Sequence, residues 1–321
     1  MKQSNFQKYI GGEGRIKKPG SPEIVFLKAL IAGDTAGVLA CFAEEKQFGG
    51  LSAVDCPHGR YEGLNGIREF AETFYHRLNA VRGEVEIATQ TLSGCRAALE
   101  FVVHLYDADG NEKPVAMALA ADLRDGMRRL DEVRTYMHPF NIDGYPVYRK
   151  PIFPPAKTPE LRHELLSGIM PVYMKLVHEQ GMTHIPDLMT RSEDIIVGAY
   201  STDDNVRLAK TDDYAKSMAE EGEKPGSTLA MPLRKFVMLR METIIDDGKI
   251  CCVEWEQLIT RWGREVRGRL SEPGISFYER AEDGLLKSFR IIDYANTESR
   301  IDWSQSPITK EEAEKLNYFP E

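Results

Sequence analysis

The chain contains two diverged copies of one pattern, and this repeat limits the fold more than any other feature of the sequence. The stretch 92–106 reads LSGCRAALEFVVHLY and the stretch 246–260 reads DDGKICCVEWEQLIT, so a turn glycine precedes a β-rich run in each. The dipeptide Asp-Gly recurs at 125–126 and 283–284, and between alternating runs it is a strong hairpin signal. The repeat predicts two copies of one structural unit.

Helical signals come first in each copy, and strand signals follow. Ser21-Pro22 and Thr158-Pro159 each place an N-cap hydroxyl before a proline at the first helical position, where the missing N–H costs nothing. Apolar residues then recur at helical spacing. The pattern predicts helices over 22–32, 35–44, 63–79, 159–179 and 209–221, and strands over 82–138 and 233–294. Helices followed by runs of strands indicate an α+β fold.

The same pattern divides the chain into five segments. Glycines and prolines near the start predict a flexible arm, and six prolines between 139 and 159 predict a stiff linker. Thr309 and Glu312 have the capping-box spacing that opens a short last helix. The predicted segments are an arm at 1–20, a first domain at 21–140, a linker at 141–157, a second domain at 158–298 and a tail at 299–321.

Charge and composition exclude several classes of function. The 321 residues carry 41 Lys and Arg against 50 Asp and Glu, and the net charge of −9 does not suit a nucleic-acid surface. No apolar run approaches the roughly 18 residues of a membrane span, and the first residues lack the apolar region of a signal peptide. The five cysteines form no Cys-x-x-Cys pair, and zinc spacings and phosphate-binding glycine loops do not occur. We therefore predict a cytoplasmic protein with no metal and no cofactor.

Three stretches resemble the nuclear transport factor 2-like superfamily. They are IAGDTAGVLACFAEE and YEGLNGIREFAETF in the first copy and, in the second, VEWEQLITRWGREVRGRLSEPGISFYERAEDGLLKSFRIIDY, which is similar to SnoaL-like polyketide cyclases. The resemblance implies two tandem cone-shaped domains, each with helices packed on a strongly curved antiparallel sheet, a cystatin-like α+β roll. The superfamily includes ketosteroid isomerase, dehydratases, limonene epoxide hydrolase, polyketide cyclases and non-catalytic members, so the fold alone selects no activity.

The resemblance implies two catalytic aspartates in the first copy. In ketosteroid isomerase-like proteins an Asp-Pro pair supplies the general base, and Asp55 takes this place in the order Asp-Cys-Pro. A carboxylate at an apolar rim acquires a raised pKa and can move a proton between carbons. Asp122 takes the place of an aspartate that stays protonated and donates to an oxyanion. The alternatives are a turn aspartate at Asp55 and a surface pair of Asp122 with Arg124.

The strand over 97–106 adds titratable groups to one sheet face. Glu100 and His104 share that face by strict alternation, and a nearby carboxylate could orient an imidazole that titrates near neutrality. Tyr136 and His138 close the last strand of the copy, where a phenol or an imidazole could polarise a carbonyl. The alternatives are a solvated or interdomain sheet face and a core tyrosine.

The second copy does not repeat this set of groups. Leu258 and Arg280 occupy the positions that match the histidine and the second aspartate of the first copy. Unequal copies favour one active and one structural domain, so we place the site in the first. Two further histidines, His58 and His76, are interpreted as structural or exposed. The predicted pocket residues are Glu100, Arg124, His138, Glu254, Trp255, Tyr278 and Tyr294.

Three functions follow from these patterns. The first is a cofactor-independent general acid/base enzyme of the isomerase, dehydratase or cyclase type, acting on a small, largely apolar carbonyl or cyclic compound. Asp55 is its predicted base, and Asp122, His104 and Tyr136 are its predicted acids or oxyanion donors. The second is a non-catalytic protein that binds a small lipophilic ligand or a partner as an intramolecular pseudo-dimer. The third is an epoxide-hydrolase-like enzyme that uses Asp55, Arg124 and Asp122.

The predicted partners follow from the same reasoning. We expect a small-molecule substrate or ligand, and no nucleic acid or membrane. Single-domain proteins of this type often pair through their sheets, so a homo-oligomer through sheet faces is a further prediction.

Overall fold

The computed structural model divides the chain into two compact units. It describes residues 16–124, 126, 128–138, 140–152, 160–199, 206–235, 237–259, 271–294 and 301–316. The first unit holds the described residues up to Arg149, together with Tyr294 and the segment that ends at Pro307. The second holds the described residues from Lys150 to Asp293 and those from Ile308 onward. The predicted segment bounds stay predictions, and the parts of the predicted arm, linker and tail that fall before, between or after these ranges lie outside the described residues.

Helices precede the main strands of the first unit, as predicted. The elements are α1 (Pro22–Ile31), α2 (Thr35–Ala40), β1 (Ala53–Cys56), β2 (Gly59–Glu62), α3 (Gly63–Arg77), β3 (Arg82–Ser93), β4 (Arg96–Tyr106), β5 (Glu112–Arg124), β6 (Arg129–Tyr136) and α4 (Phe140–Asp143). The sheet order is β2-β1-β6-β5-β4-β3. All neighbours are antiparallel except β1 and β6, which run parallel.

The second unit repeats this topology. Its elements are α5 (Met170–Gln180), β7 (Ile195–Ala199), β8 (Arg207–Ala209), α6 (Thr211–Gly222), β9 (Val237–Asp246), β10 (Ile250–Ile259), β11 (Ser271–Arg280), β12 (Leu286–Asp293) and α7 (Lys310–Lys315). The sheet order is β8-β7-β12-β11-β10-β9, and β7 runs parallel to β12. The α+β class with two tandem domains is confirmed. The sheets are mixed rather than antiparallel, because a short hairpin forms in each stretch where the sequence predicted no strand.

Two predicted helices have different bounds in the structure. The helix predicted over 35–44 ends at Ala40, and the helix predicted over 159–179 begins only at Met170. Pro171 occupies the first turn of that helix, the position predicted for Pro159, which itself lies outside the described residues. Gly168 lies just before this helix with a φ of +58°, so a right-handed helix does not extend through it. The proline signal was correct in kind but assigned to the wrong proline.

The hydrophobic core of the first unit lies on one face of its sheet. Leu99, Phe101 and Val103 of β4 belong to this core and are fully buried. Glu100 and His104 of the same strand therefore point to the opposite face, which the alternation of a strand requires. The other strands divide in the same way. This division decides which predicted site residues can reach the helix-covered side of the sheet.

The segments outside the sheets carry three further findings. The predicted linker contains the short helix α4, and Tyr148 and Arg149 behind it are buried within the first unit. The capping box of the last helix is confirmed, since the Glu312 backbone N–H donates to Thr309 Oγ1 at 3.2 Å. No helix among the described residues is long and apolar enough to cross a membrane.

Candidate active site

Asp55 lies in β1 with its side chain turned away from the hydrophobic core. Its neighbours Val54 and Cys56 belong to the core, so alternation sends Asp55 to the opposite face. The carboxylate is fully buried, forms an ion pair with Arg60, and lies 2.8 Å from Arg149 Nη2. Asp55 is therefore a buried, ion-paired carboxylate on this face.

Asp122 is also held by arginines. Arg134 Nη1 donates to it at 2.7 Å and Arg96 Nε donates at 2.9 Å. Burial opposes the charged form, but these two guanidinium groups lower the pKa of the Asp122 carboxyl. The predicted protonated donor requires the opposite direction. Arg124 Nε approaches Asp131 at 3.3 Å, so the predicted Asp122–Arg124 pair is replaced by other partners.

The two candidates on β4 each have partners of their own. His104 lies between two carboxylates, with Nδ1 2.6 Å from Glu112 Oε1 and Nε2 3.4 Å from Glu86 Oε2. Glu100 is fully buried and accepts a hydrogen bond from Thr89 Oγ1 at 2.6 Å. The structure thus places both residues on the predicted face. Their contacts there stabilise the sheet rather than build an acid/base pair.

Tyr136 is a buried tyrosine next to a second one. It is fully buried, and its ring centroid lies 6.2 Å from that of Tyr294. The Tyr294 hydroxyl donates to the Thr135 carbonyl at 3.1 Å. His138 follows the strand and is partly buried. These contacts agree with the alternative of a buried core tyrosine at Tyr136.

The pocket candidates of the second unit divide between the two sheet faces. Trp255 and Tyr278 belong to its hydrophobic core. Trp255 Nε1 donates to Ser276 Oγ at 2.8 Å, and the Tyr278 ring lies 4.9 Å from the ring of Tyr173. Glu254 is fully buried on the opposite face.

The first unit contains a histidine–aspartate pair that the sequence analysis did not select. His58 lies in the turn between β1 and β2, and Asp143 is the last residue of α4. His58 Nε2 lies 2.9 Å from Asp143 Oδ2, and both side chains are at least 95% buried. The angle of this contact falls outside hydrogen-bond geometry, and His58 Nδ1 is buried without a partner among the described residues. Such contacts commonly align only when a substrate is bound.

Arg77 contacts this pair, and its charge also acts on two more side chains, Tyr61 and Cys56. Arg77 Nη1 donates to the other oxygen of Asp143 at 3.3 Å. Burial raises the pKa of Tyr61 to about 12, and the positive charge of Arg77 only partly lowers it. The phenol of Tyr61 therefore keeps its proton. Burial also raises the pKa of the Cys56 thiol to about 12, which excludes a thiolate nucleophile. The cluster therefore offers one free imidazole nitrogen next to neutral and cationic donors.

Arg149 fixes the turn that carries His58. Its Nη1 donates to the Cys56 carbonyl at 3.0 Å and to the Gly59 carbonyl at 3.3 Å, so the two bonds lie on either side of His58 in sequence. Its Nη2 approaches Asp55, as described above. Burial opposes the charge of Arg149, but Asp55 raises its pKa and keeps it protonated. The predicted base thus contributes to the site through Arg149.

Other places in the chain are less suited to chemistry. The described residues contain no group of three His, Cys, Asp or Glu side chains arranged to hold a metal ion. A surface cleft of about 380 Å³ in the second unit is lined by charged residues. Its two lysines already have acidic neighbours: Lys287 lies 2.9 Å from Glu193, and Lys249 lies 3.9 Å from Glu279.

The chain is similar to solved structures of the predicted superfamily, in which NTF2-like, SnoaL-like and ketosteroid isomerase-like proteins recur. A protein with a ketosteroid isomerase-like fold from Catenulispora acidiphila is 13% identical, with 38% of this chain and 89% of that chain covered and a TM-score of 0.32. A SnoaL-like protein from Shewanella putrefaciens is 12% identical (41% and 88% covered, TM-score 0.33). An LEH-like epoxide hydrolase from M. tuberculosis is 19% identical (38% and 83% covered, TM-score 0.29). No protein-family model and no curated protein matches the sequence.

Proposed function

We propose that the protein is a cofactor-independent general acid/base enzyme of the isomerase, dehydratase or cyclase type. Its substrate is a small, largely apolar carbonyl or cyclic compound, and His58 with Asp143 performs the proton transfer. One observation carries the proposal: a buried imidazole has one nitrogen 2.9 Å from a buried carboxylate and the other nitrogen buried without a partner. A carboxylate beside one ring nitrogen selects the tautomer and leaves the other nitrogen as a base.

The proton transfer can be followed atom by atom. His58 Nδ1 removes a proton from the carbon next to the substrate carbonyl. The electron pair of that C–H bond forms a carbon–carbon double bond, and the π pair of the carbonyl moves onto its oxygen. The neutral phenol of Tyr61 donates a hydrogen bond to the resulting enolate oxygen. The His58 imidazolium then returns its proton to a different carbon in an isomerisation, or to a leaving hydroxyl in a dehydration.

Asp143 has two roles in this scheme. Its carboxylate holds the imidazole in the tautomer with the proton on Nε2, and it stabilises the imidazolium that forms after proton abstraction. Arg77 holds the second oxygen of Asp143 and thereby fixes the plane of the carboxylate. Asp143 is a positioning residue, since it acts on the substrate through His58.

The proposal is tested by the pH dependence of kcat/KM on a panel of cyclic enones and β-hydroxy ketones. His58→Gln should lower kcat/KM by roughly 100-fold or more and remove the limb of the pH profile that belongs to the base. His76→Gln, at an exposed position of α3, is the matched control and should leave the profile unchanged. An active wild-type protein with an unaltered His58→Gln profile would contradict the proposal.

The interior of the second unit favours a second candidate function, the binding of a small lipophilic ligand. Its core combines five buried methionines with an aromatic group in which Trp255 donates to Ser276 and Tyr278 packs on Tyr173. Methionines and aromatic rings adapt to apolar ligands of varied shape. Native mass spectrometry of the purified chain tests this function, and a bound lipid-like compound together with no turnover of any panel member would favour it.

A further inference from the structure

Arg77 adds a buried donor without a partner, its Nε, to the unpartnered Nδ1 of His58. It ends α3, and its side chain is 28% exposed, so it connects the buried pair to solvent. Its Nη1 binds Asp143, whereas its Nε is buried without a hydrogen-bond partner among the described residues. A buried donor without an acceptor is costly, and the cost is removed when a ligand supplies the acceptor.

His58 and Arg77 flank one carboxylate. His58 approaches Asp143 Oδ2, and Arg77 approaches Oδ1 of the same group. The unpartnered atoms of the two side chains, Nδ1 of His58 and Nε of Arg77, therefore belong to groups held side by side. We therefore infer that a small molecule whose acidic C–H meets the imidazole places its neighbouring atoms toward the guanidinium.

We propose that the substrate carries a carboxylate next to its carbonyl group, as a small oxo acid does, and that Arg77 binds this carboxylate. The inference rests on the function proposed above. The Nε–H of a guanidinium shares an edge with one terminal nitrogen, and this edge offers two parallel donors that match the two oxygens of a carboxylate. The positive charge of the guanidinium favours an anionic ligand over a neutral one.

The charges around the site agree with an anionic ligand. Asp143 is paired with Arg77, and the charge of Asp55 is opposed by Arg60 and Arg149. Burial raises the pKa of the Cys56 thiol, and the positive charges of Arg149 and Arg77 lower it. Both arginines therefore favour a negative charge at this place. The exposed side chain of Glu69 is the acidic group that acts on Tyr61 from α3.

Two substrate series separate this inference from the proposed function. The wild-type protein is assayed with enolisable oxo acids and with the methyl esters of the same acids, and the acids are expected to have the higher kcat/KM. Arg77→Gln should lower kcat/KM for the acids roughly 10- to 100-fold more than for the esters, mainly through KM, because the esters lose only the effect of Arg77 on Asp143. Arg68→Gln, at an exposed position of the same helix, is the control and should affect neither series.

A direct binding measurement avoids dependence on turnover. Phenylglyoxylate carries the oxo acid group but has no enolisable proton, and its methyl ester lacks the charge. Titration calorimetry should show weaker phenylglyoxylate binding by Arg77→Gln than by His58→Gln, with Arg77→Lys retaining part of it. Melting temperatures of the variants establish that each is folded.

The outcomes assign failure to one proposal or the other. If His58→Gln leaves turnover of both series intact, the proposed function is wrong. If His58→Gln abolishes turnover while Arg77→Gln lowers it equally for acids and esters, the proposed function stands and the carboxylate site is overturned. Equal binding of phenylglyoxylate and its ester by the wild-type protein also overturns it.

Discussion

His58 Nε2 lies 2.9 Å from Asp143 Oδ2, although the whole of α3 and the strands β2 to β6 separate the two residues in the sequence. His58 is fixed by the turn between β1 and β2, and Asp143 by a four-residue helix that follows the last strand. The contact forms because β1 joins β6 in parallel, which brings the early turn next to the end of the sheet. The geometry of the pair therefore depends on the hairpin and on the residue that holds it, Arg149.

Replacement of Arg149 should destabilise the first unit. Arg149→Met leaves the carboxylate of Asp55, which is 1% exposed, without one of its two guanidinium partners. Removal of one member of a buried ion pair typically costs 3–5 kcal/mol, so we expect a loss of about 3 kcal/mol in the free energy of unfolding. Urea unfolding measures this change. Arg68→Met, at an exposed position, should change the value by no more than about 0.5 kcal/mol, and equal effects of both would contradict the role of Arg149.

Glu132 should make the free energy of unfolding of the first unit depend on pH. Burial of Glu132 opposes its negative charge. Arg60, Arg134 and Lys46 outweigh this effect and lower the pKa of Glu132 from 4.5 to about 2. A lowered pKa stabilises the fold above the unfolded value near 4.5, and this contribution is lost as the pH falls toward 2. The shift corresponds to roughly 3 kcal/mol.

The measurement is urea unfolding at several pH values. Glu132→Gln should be less stable than the wild-type protein at pH 7 and should lose less stability between pH 4.5 and pH 2. Glu62→Gln is the control, because Glu62 is exposed. Parallel pH curves for the wild-type protein and Glu132→Gln would show that the ion pairs of Glu132 do not contribute.

Gly274 should not tolerate a side chain. It faces Trp255 across the β10–β11 pair, and a Cβ at this position would overlap the indole ring. Gly274→Ala should lower the free energy of unfolding by about 2 kcal/mol and alter the near-ultraviolet circular dichroism, since the ring must move. Gly20→Ala, where a Cβ meets no atom within 4 Å, is the control. A Gly274→Ala protein as stable as the control would show that the ring yields without cost.

The sequence predicted most of the fold but not the short hairpin at one edge of each sheet. The Asp-Gly turns and the alternation of β4 were enough to predict the long strands, because both signals are local. The hairpin β1–β2 was not predicted, since its strands have only four residues each and β1 is held by a partner far along the chain. Non-local pairing of short strands leaves almost no local pattern.

The sequence analysis selected Asp55, whereas the proposed site uses a different residue of the same stretch, His58. Asp55 and His58 lie three positions apart in AVDCPHG, and the choice between them depends on which face of β1 meets the core. Val54 and Cys56 on either side of Asp55 were the available signal, because two apolar neighbours in a strand turn the residue between them outward. Asp143 lay in a predicted linker, and only the tertiary structure brings it to His58.

The most direct test of the central claim is hydrogen exchange at the substrate carbon in D₂O. Deuterium incorporation next to the carbonyl is followed by NMR for the wild-type protein, His58→Gln and His76→Gln, with oxo acids and their esters as substrates. If His58 is the base, the wild-type protein and His76→Gln exchange the proton at the same rate, and His58→Gln exchanges it at least about 100-fold more slowly. Exchange by His58→Gln at the wild-type rate would contradict the account.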